Sequence, residues 1–201
     1  WKTAPTPCAI LLRGETGTGK ELVARAVHRN SKRAQAPFVP LNCAAINAET
    51  MLSELFGHVR GAFTGATKTR EGLVRRAHRG TLFLDEVGDM PSEMQVALLR
   101  TLEERTILPV GGTRIQRTDI RIVSATNRDL EDLVRFGAFR EDLLHRVNTI
   151  EIELPALRER LEDLPELTHH ILARMEQPKR LHMDALPLLA RHPWPGNVRE
   201  L

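Results

Sequence analysis

Tyrosine is absent from this 201-residue sequence and all aromatic residues together make up 4% of it. The absence of tyrosine argues against a platform on which successive bases stack. No apolar run approaches about 18 residues, and no charged-then-apolar start leads to a small-residue cleavage site. Neither a membrane span nor a secretory signal is readable, and a cytoplasmic location without membrane contact is expected. Cysteine is scarce: Cys8 and Cys43 each sit in an apolar segment, where a small buried thiol is the ordinary explanation ahead of a disulfide or a ligand pair. Two cysteines make no metal site. An excess of one charge is lacking too, since 29 Lys and Arg are offset by 26 Asp and Glu, for a net charge of +3. These charges are spread along the chain, so charge alone gives direct DNA binding little support. The stretch RRAHR, Arg75 to Arg79, has no interleaved aromatics and reads as a solvated face ahead of a nucleic-acid patch.

What is there is a globular composition, 41% hydrophobic and 27% charged, long enough for one full domain and part of another. CAILL (Cys8 to Leu12) is a short continuous apolar run, as a buried parallel strand is. ELVARAVHRN (Glu21 to Asn30) follows with apolar residues at helical spacing. PFVPLNC, TLFLDEV (Thr81 to Val87) and DIRIVSATN (Asp119 to Asn127) are further strand candidates. PSEMQVALLRTLEER sets Met94, Ala97, Leu98 and Leu102 on one helical face, with Pro91 suited to a first turn. Strand and helix in alternation predict an α/β fold, a parallel sheet covered on both sides. After TIEIELP (Thr149 to Pro155) only helical pattern remains, broken by Pro178, Pro187, Pro193 and Pro195. Residues 1–155 are therefore expected to form the α/β part, and residues 156–201 a small all-helical unit.

The chemistry starts at GETGTGKE: Gly14, Glu15, Thr16, Gly17, Thr18, Gly19, Lys20 and Glu21. It satisfies G-x-x-x-x-G-K after a strand and before a helix, the context in which that pattern cradles phosphates. Gly17 and Gly19 let successive backbone N–H groups turn inward, the helix N-terminus adds partial positive charge, and Lys20 reaches the β- and γ-phosphates. By residue frequencies the bare pattern is expected by chance roughly 0.02 times in a chain of this composition. Glu21 stands where a Ser or Thr hydroxyl usually meets Mg²⁺, so magnesium has to be held by other groups. GTLFLDEVGDM offers them: Asp85 and Glu86 end an apolar strand at the carboxyl edge where ligands of open α/β sheets collect. Asp85 suits Mg²⁺, directly or through water, and Glu86 suits the attacking water. Asn127 can lie between these carboxylates and the γ-phosphate, or be an ordinary turn Asn.

RGAFTGATK, Arg60 to Lys68, sets Phe63 and Thr64 between Gly-Ala pairs. A loop this poor in polar side chains presents an apolar tip that needs a receiver, unless it is a tight turn with a buried Phe.

Taken in order, GETGTGKE, NCAAI, SELFGHVRGAFTGA, GTLFLDEVGDM, VGGTRIQRTDIRIVSATNRDL, FREDLLHRV, LPALRER and WPGNVREL resemble the central AAA+ ATPase domain of bacterial enhancer-binding proteins that activate sigma-54 RNA polymerase. The resemblance covers nearly the whole chain, and the GAFTGA hexamer discriminates it from other AAA+ proteins. It implies a P-loop NTPase with a three-layer αβα sandwich and a helical lid. It also implies ATP hydrolysis with Mg²⁺, and a loop tip (Gly61, Ala62, Phe63, Thr64, Gly65, Ala66) that contacts sigma-54 and moves with nucleotide state. Val110 to Gly112 resembles the supporting second loop, and Gly-Gly is also a plain hairpin signal.

The same resemblance makes Asn42 the residue restraining Glu86, although a strand-end Asn bonded locally reads as well. Arg140 and Arg146 resemble arginine fingers that reach the neighbouring subunit's nucleotide, which implies a homo-oligomeric ring, a hexamer by family habit. Arg199 resembles the second sensor of the lid. The chain is expected to be a piece of a longer protein, trimmed before the adenine-enclosing segment and inside the last lid helix. The DNA-binding domain would lie C-terminal to it, and the sensory domain before it. The stretch from Met175 to Met183 is short for a connection between two lid helices. Other readings are an AAA+ unfoldase or chaperone subunit feeding a protease, with Phe63 as a pore residue, and an assembly module that binds ATP without turnover.

Overall fold

The structure, a computed structural model, describes residues 3–47, 50–175 and 181–201. Within the connection from Met175 to Met183, residues 176–180 lie outside the described residues. The chain divides into two compact units, Trp1–Arg13 with Glu21–Ile152, and Gly14–Lys20 with Glu153–Leu201.

The first unit is built from β1 (Ile10–Arg13), α1 (Lys20–Arg29), β2 (Phe38–Asn42), α2 (Met51–Phe56), β3 (Gly57–His58), β4 (Arg70–Glu71), α3 (Leu73–Arg76), β5 (Thr81–Asp85), α4 (Ser92–Glu104), β6 (Thr106–Ile107), β7 (Gln116–Arg117), β8 (Arg121–Thr126), α5 (Leu130–Arg135), α6 (Glu141–Val147) and β9 (Ile150–Glu153). Five strands form one sheet in the order β2-β5-β8-β1-β9, in which β2–β5, β5–β8 and β1–β8 pair in parallel. Successive strand residues point to opposite faces, yet Leu82, Phe83 and Leu84 of β5 are all at most 1% exposed. Both faces of the sheet are therefore covered, which is why the central strands read as continuous apolar runs. β9 alternates half-buried Ile with exposed Glu, as suits an edge. β1 begins two residues later than CAILL suggests, because its pairing with β8 starts at Ile10 opposite Val123.

On α4, Met94 and Leu98 are fully buried and Ala97 and Leu102 pack against the same core. Pro91 stands just ahead of the helix rather than inside its first turn, and its carbonyl accepts the Gln95 N–H at 3.0 Å. Asp129 caps α5 by accepting the Asp132 N–H at 2.9 Å. The segment before β1 is tied down by Arg121, which is only 2% exposed. Its guanidinium donates to the carbonyls of Ala4 at 2.7 Å and Thr3 at 3.3 Å.

The second unit joins the loop Gly14–Lys20 to helical elements, chiefly α7 (Leu164–Ala173), α8 (Leu186–Leu189) and α9 (Asn197–Glu200). Pro165 and Pro187 occupy the first turns of α7 and α8, where a missing N–H costs nothing. Leu157, Leu164 and Trp194 form a small core, and the Trp194 indole N–H donates to the Leu189 carbonyl at 2.8 Å. Among the described residues no helix is long and apolar enough to cross a membrane.

Leu98→Ala, which empties part of the α4–sheet core, is expected to lower the unfolding free energy by about 3 kcal/mol. A urea titration followed by circular dichroism reads this as an earlier midpoint, and an unmoved midpoint contradicts the burial.

Candidate functional site

The Gly14–Lys20 loop is held by side chains of its own unit. Arg158 forms a two-pronged ion pair with Glu15, at 2.9 and 2.6 Å, the strongest carboxylate geometry available to an arginine. The Asn197 amide donates to Glu15 Oε2 and to the Thr16 carbonyl, each at 3.0 Å, while its own oxygen accepts the Leu157 N–H at 2.7 Å. Arg160 donates to the Thr18 carbonyl at 2.8 Å. Inside the loop, Lys20 Nζ donates to the carbonyls of Gly14 at 2.9 Å and Glu15 at 3.1 Å, and Thr18 Oγ1 donates to Glu15 O at 2.8 Å. Gly17 has φ +83°, and a Cβ there would sit 2.2 Å from the Gly196 carbonyl oxygen. Only glycine fits both that conformation and that approach. Arg199, on α9, has its Cβ 3.1 Å from the same point. The guanidinium of Arg158, then the Asn197 amide, hold the Glu15 carboxyl down at about 2.

In the first unit the carboxylates lie where β5 ends. The pairing of β2 with β5 sets Asn42 opposite Asp85, and the Asp85 carbonyl accepts the Cys43 N–H at 2.9 Å. Glu86 has a left-handed backbone, φ 51° and ψ 50°. For a residue with a Cβ that conformation costs roughly 1 kcal/mol or more and is characteristic of functional turns. The turn is tied by Arg128, whose guanidinium meets Asp89 at 2.6 Å and donates to the Gly88 carbonyl at 3.1 Å. Asn127 follows the last residue of β8, at the same carboxyl edge of the sheet as Asp85. Asn42 Oδ1 accepts the N–H groups of Ala44 and Ala45 at 3.0 and 3.1 Å, the local bonding pattern of a strand-end Asn. Burial, with Asp85, Asp89 and Glu86 nearby, pushes the Cys43 thiol up to about 12. It stays a neutral thiol. Among the described residues no group of three His, Cys, Asp or Glu side chains forms a metal cage.

The hexamer Gly61–Ala66 crowns the β3–β4 hairpin. Gly61 donates to the Ala66 carbonyl at 2.9 Å and Ala66 to the Phe63 carbonyl at 3.0 Å, so the tip is closed on itself. Phe63 is 45% exposed and rests edge-on against His58, ring centres 5.0 Å apart. His58 is buried and shares a 2.7 Å hydrogen bond with Ser53 Oγ. The second loop, carried by the β6–β7 pair, is bonded to the base of the first. Val59 donates to the Val110 carbonyl at 3.1 Å, and Val110 donates to that of Gly57 at 2.9 Å. A Cβ on Gly111 would lie 2.7 Å from Ala62 Cβ.

Arg140 precedes α6 and pairs through two bonds with Asp142, at 3.0 and 2.7 Å. Arg146, in the last turn of that helix, lies 3.5 Å from Glu103. Solvent screens exposed pairs of this kind, which hold the side chains only weakly, so either guanidinium can be surrendered to a stronger external anion.

The braces on the loop, Arg158, Arg160 and Asn197, are the residues that sequence reasoning missed. The motifs LPALRER and WPGNVREL contain them. With the partners of Glu15 lying 143 and 182 positions further along the chain, no local spacing signals the contact.

Residues 1–153 match the family model described as the sigma-54 interaction domain, and residues 158–201 match the AAA+ ATPase lid domain. The chain is 50% identical over 203 residues to the transcriptional regulatory protein ZraR of Escherichia coli K12, covering 98% of this chain and 46% of ZraR. It is 52% identical over 198 residues to the DNA-binding transcriptional regulator NtrC of the same organism, covering 96% of this chain and 42% of NtrC. Among solved structures, NtrX from Brucella abortus superposes with a TM-score of 0.90 at 42% identity, over 99% of this chain and 46% of NtrX. The chain thus spans under half the length of these relatives.

A carboxyl whose pKa is depressed in the folded state adds stability that is complete above its unfolded value, 4.5, and fades as pH falls toward about 2. Thermal melts of Glu15→Gln against the parent chain should therefore differ by a small, constant amount at neutral pH and converge in acid. A gap that persists at about pH 2 would mean that charge is not what holds Glu15.

Proposed function

The chain belongs to the sigma-54 interaction domain family, followed by an AAA+ lid, and on that premise we propose that it is an ATP-hydrolysing motor that remodels the sigma-54 RNA polymerase closed complex. The observation that carries this reading is the Phe63 loop: an apolar ring, 45% exposed, held out on a hairpin whose base is bonded to a second loop. An exposed aromatic at the end of a braced arm suits a partner surface, and in this family that surface is sigma-54. NtrX from Brucella abortus was solved in complex with ATP, which supports ATP as the nucleotide here.

In this reading residues 1–155 bind and hydrolyse the nucleotide and residues 156–201 form the lid. The backbone of Gly14–Glu21 cradles the triphosphate, Lys20 draws charge from its β- and γ-oxygens, and Arg199 senses it. Asp85 would hold Mg²⁺, which when bound neutralises charge on the transferring phosphoryl group. One carboxylate with substrate phosphates and waters suits magnesium. Glu86 takes the proton of the attacking water, Asn127 orients the γ-phosphate, and Asn42 restrains Glu86. Arg140 and Arg146 leave their surface carboxylates to meet the nucleotide of a neighbouring copy, so turnover requires a ring, a hexamer in the family pattern. The place of action is the bacterial cytoplasm, with enhancer binding supplied by a separate domain. The protease-coupled unfoldase has no observation in its favour.

Thr64→Ala is expected to keep phosphate release and lose open-complex formation on a sigma-54 promoter. Lys20→Ala is expected to weaken nucleotide binding about 10- to 100-fold, the loss of a charged hydrogen bond of about 1.5–3 kcal/mol. Phosphate release and permanganate footprinting read the two, and normal promoter opening by Thr64→Ala would refute the loop assignment.

A further inference from the structure

The near-neutral charge of the chain conceals an asymmetry, part of which the fold gathers into one groove. Residues 55–79 and 105–119 together hold nine Lys and Arg against two acids, Glu71 and Asp119, leaving twenty against twenty-four in the rest of the chain. The fold joins these two segments. Arg75 donates to the Arg117 carbonyl at 3.2 Å, the Asp119 N–H donates to His78 Nδ1 at 3.1 Å, and the Arg79 N–H donates to the Asp119 carbonyl. Between α3 and the β6–β7 pair they enclose a groove of about 540 Å³ lined by Arg75, His78, Arg114, Ile115, Gln116 and Arg117. Among the described residues no carboxylate lines it. Among the described residues Arg75 has an acidic partner, Glu71 at 3.7 Å, whereas no ion pair engages the exposed Arg114 and Arg117. The groove adjoins the base of the second loop, since Arg114 and Ile115 directly follow Val110 to Thr113.

From this arrangement we infer that the groove is a contact surface for the phosphate backbone of duplex nucleic acid, read without regard to sequence. Uncompensated arginines held in a concave surface repel one another, and that cost is relieved by a ligand bearing rows of anions, which a duplex presents. A protein partner is the weaker fit. Protein interfaces centre on buried aromatic or aliphatic anchors, and the apolar residue here, Ile115, is 66% exposed with no Phe, Tyr or Trp in the lining. Single strands fit less well for the same reason, because the lining offers no Phe, Tyr or Trp platform for successive bases. The solvated face suggested by the RRAHR stretch alone is thus half of a structure completed by Arg114 and Arg117. The assignment goes beyond the proposed motor function and needs no nucleotide. It rests on that reading only in placing the duplex, as promoter DNA, beside the Phe63 loop.

The test is fluorescence anisotropy of the purified 201-residue chain with a labelled mixed-sequence duplex, across a salt titration from about 50 to 200 mM. Binding should weaken with salt, and Arg114→Ala with Arg117→Ala should reduce the slope of log affinity against log salt by about 2, one per lost phosphate contact. Arg114→Lys with Arg117→Lys should restore the slope. Arg174→Ala with Arg191→Ala, which removes the same charge elsewhere, should leave it unchanged. Lys20→Ala and Thr64→Ala should bind the duplex as the parent does, so failure of the motor reading is seen separately. The inference is overturned if the parent chain does not bind, if the groove variant keeps the parent's slope, or if poly-glutamate binds the groove more tightly than the duplex does.

Discussion

A loop that binds phosphates turns its backbone N–H groups in toward the ligand, which leaves few of them to hold its own shape. The segment Gly14–Lys20 meets this constraint by being gripped from outside. Glu15 is clasped by Arg158 and Asn197, the Thr18 carbonyl is held by Arg160, and Gly17 lies against the Gly196 backbone. Lys20 and Thr18 bind the loop's inner carbonyls. Every gripping residue comes from the segment after Glu153, so the lid sequence is part of what gives the phosphate loop its form. Asn197 does this from a fully buried position with φ +55°, a left-handed conformation that asparagine adopts more readily than most residues. A lid residue that touches the loop in this way can report on what the loop holds, which is the physical content of a sensor.

The exposed end of the mechanism follows another rule. An apolar tip costs free energy in water, and Phe63 reduces that cost by resting on His58 without entering the core. The two loops are tied by main-chain bonds at Val59 and Val110, which are independent of side-chain identity. Alongside them the groove of Arg75, Arg114 and Arg117 gives the same region a strong positive field. An apolar tip for a protein and a cationic groove for a polyanion are different chemistries, and their nearness suits a partner in which protein and nucleic acid lie side by side.

Much of the frame was legible in the sequence because it rests on local rules. Buried central strands demand unbroken apolar runs, and TLFLDEV and DIRIVSATN supplied them. The α4 face was readable from the spacing of Met94 and Leu98. The placing of Asp85 at a strand end followed from the run that precedes it. The β3–β4 and β6–β7 ladders went unread, since two paired residues leave no periodicity, although Gly111-Gly112 was noted as a hairpin signal. The left-handed turn at Glu86 and the partners of Glu15 were also hidden. Backbone strain has no composition signal in a non-glycine residue, and contacts across well over a hundred positions arise only from the fold. The cationic groove escaped for the same reason: RRAHR shows half of it, and the other half lies past residue 105.

The central claim is that nucleotide state at the Gly14–Lys20 loop decides whether the Phe63 loop engages sigma-54. It is tested most directly by mixing the assembled protein with purified sigma-54 and a transition-state mimic of ATP, then following co-elution on a sizing column. The account predicts a stable complex with the mimic and none with ADP. A complex that forms equally with either nucleotide, or with neither, would contradict it.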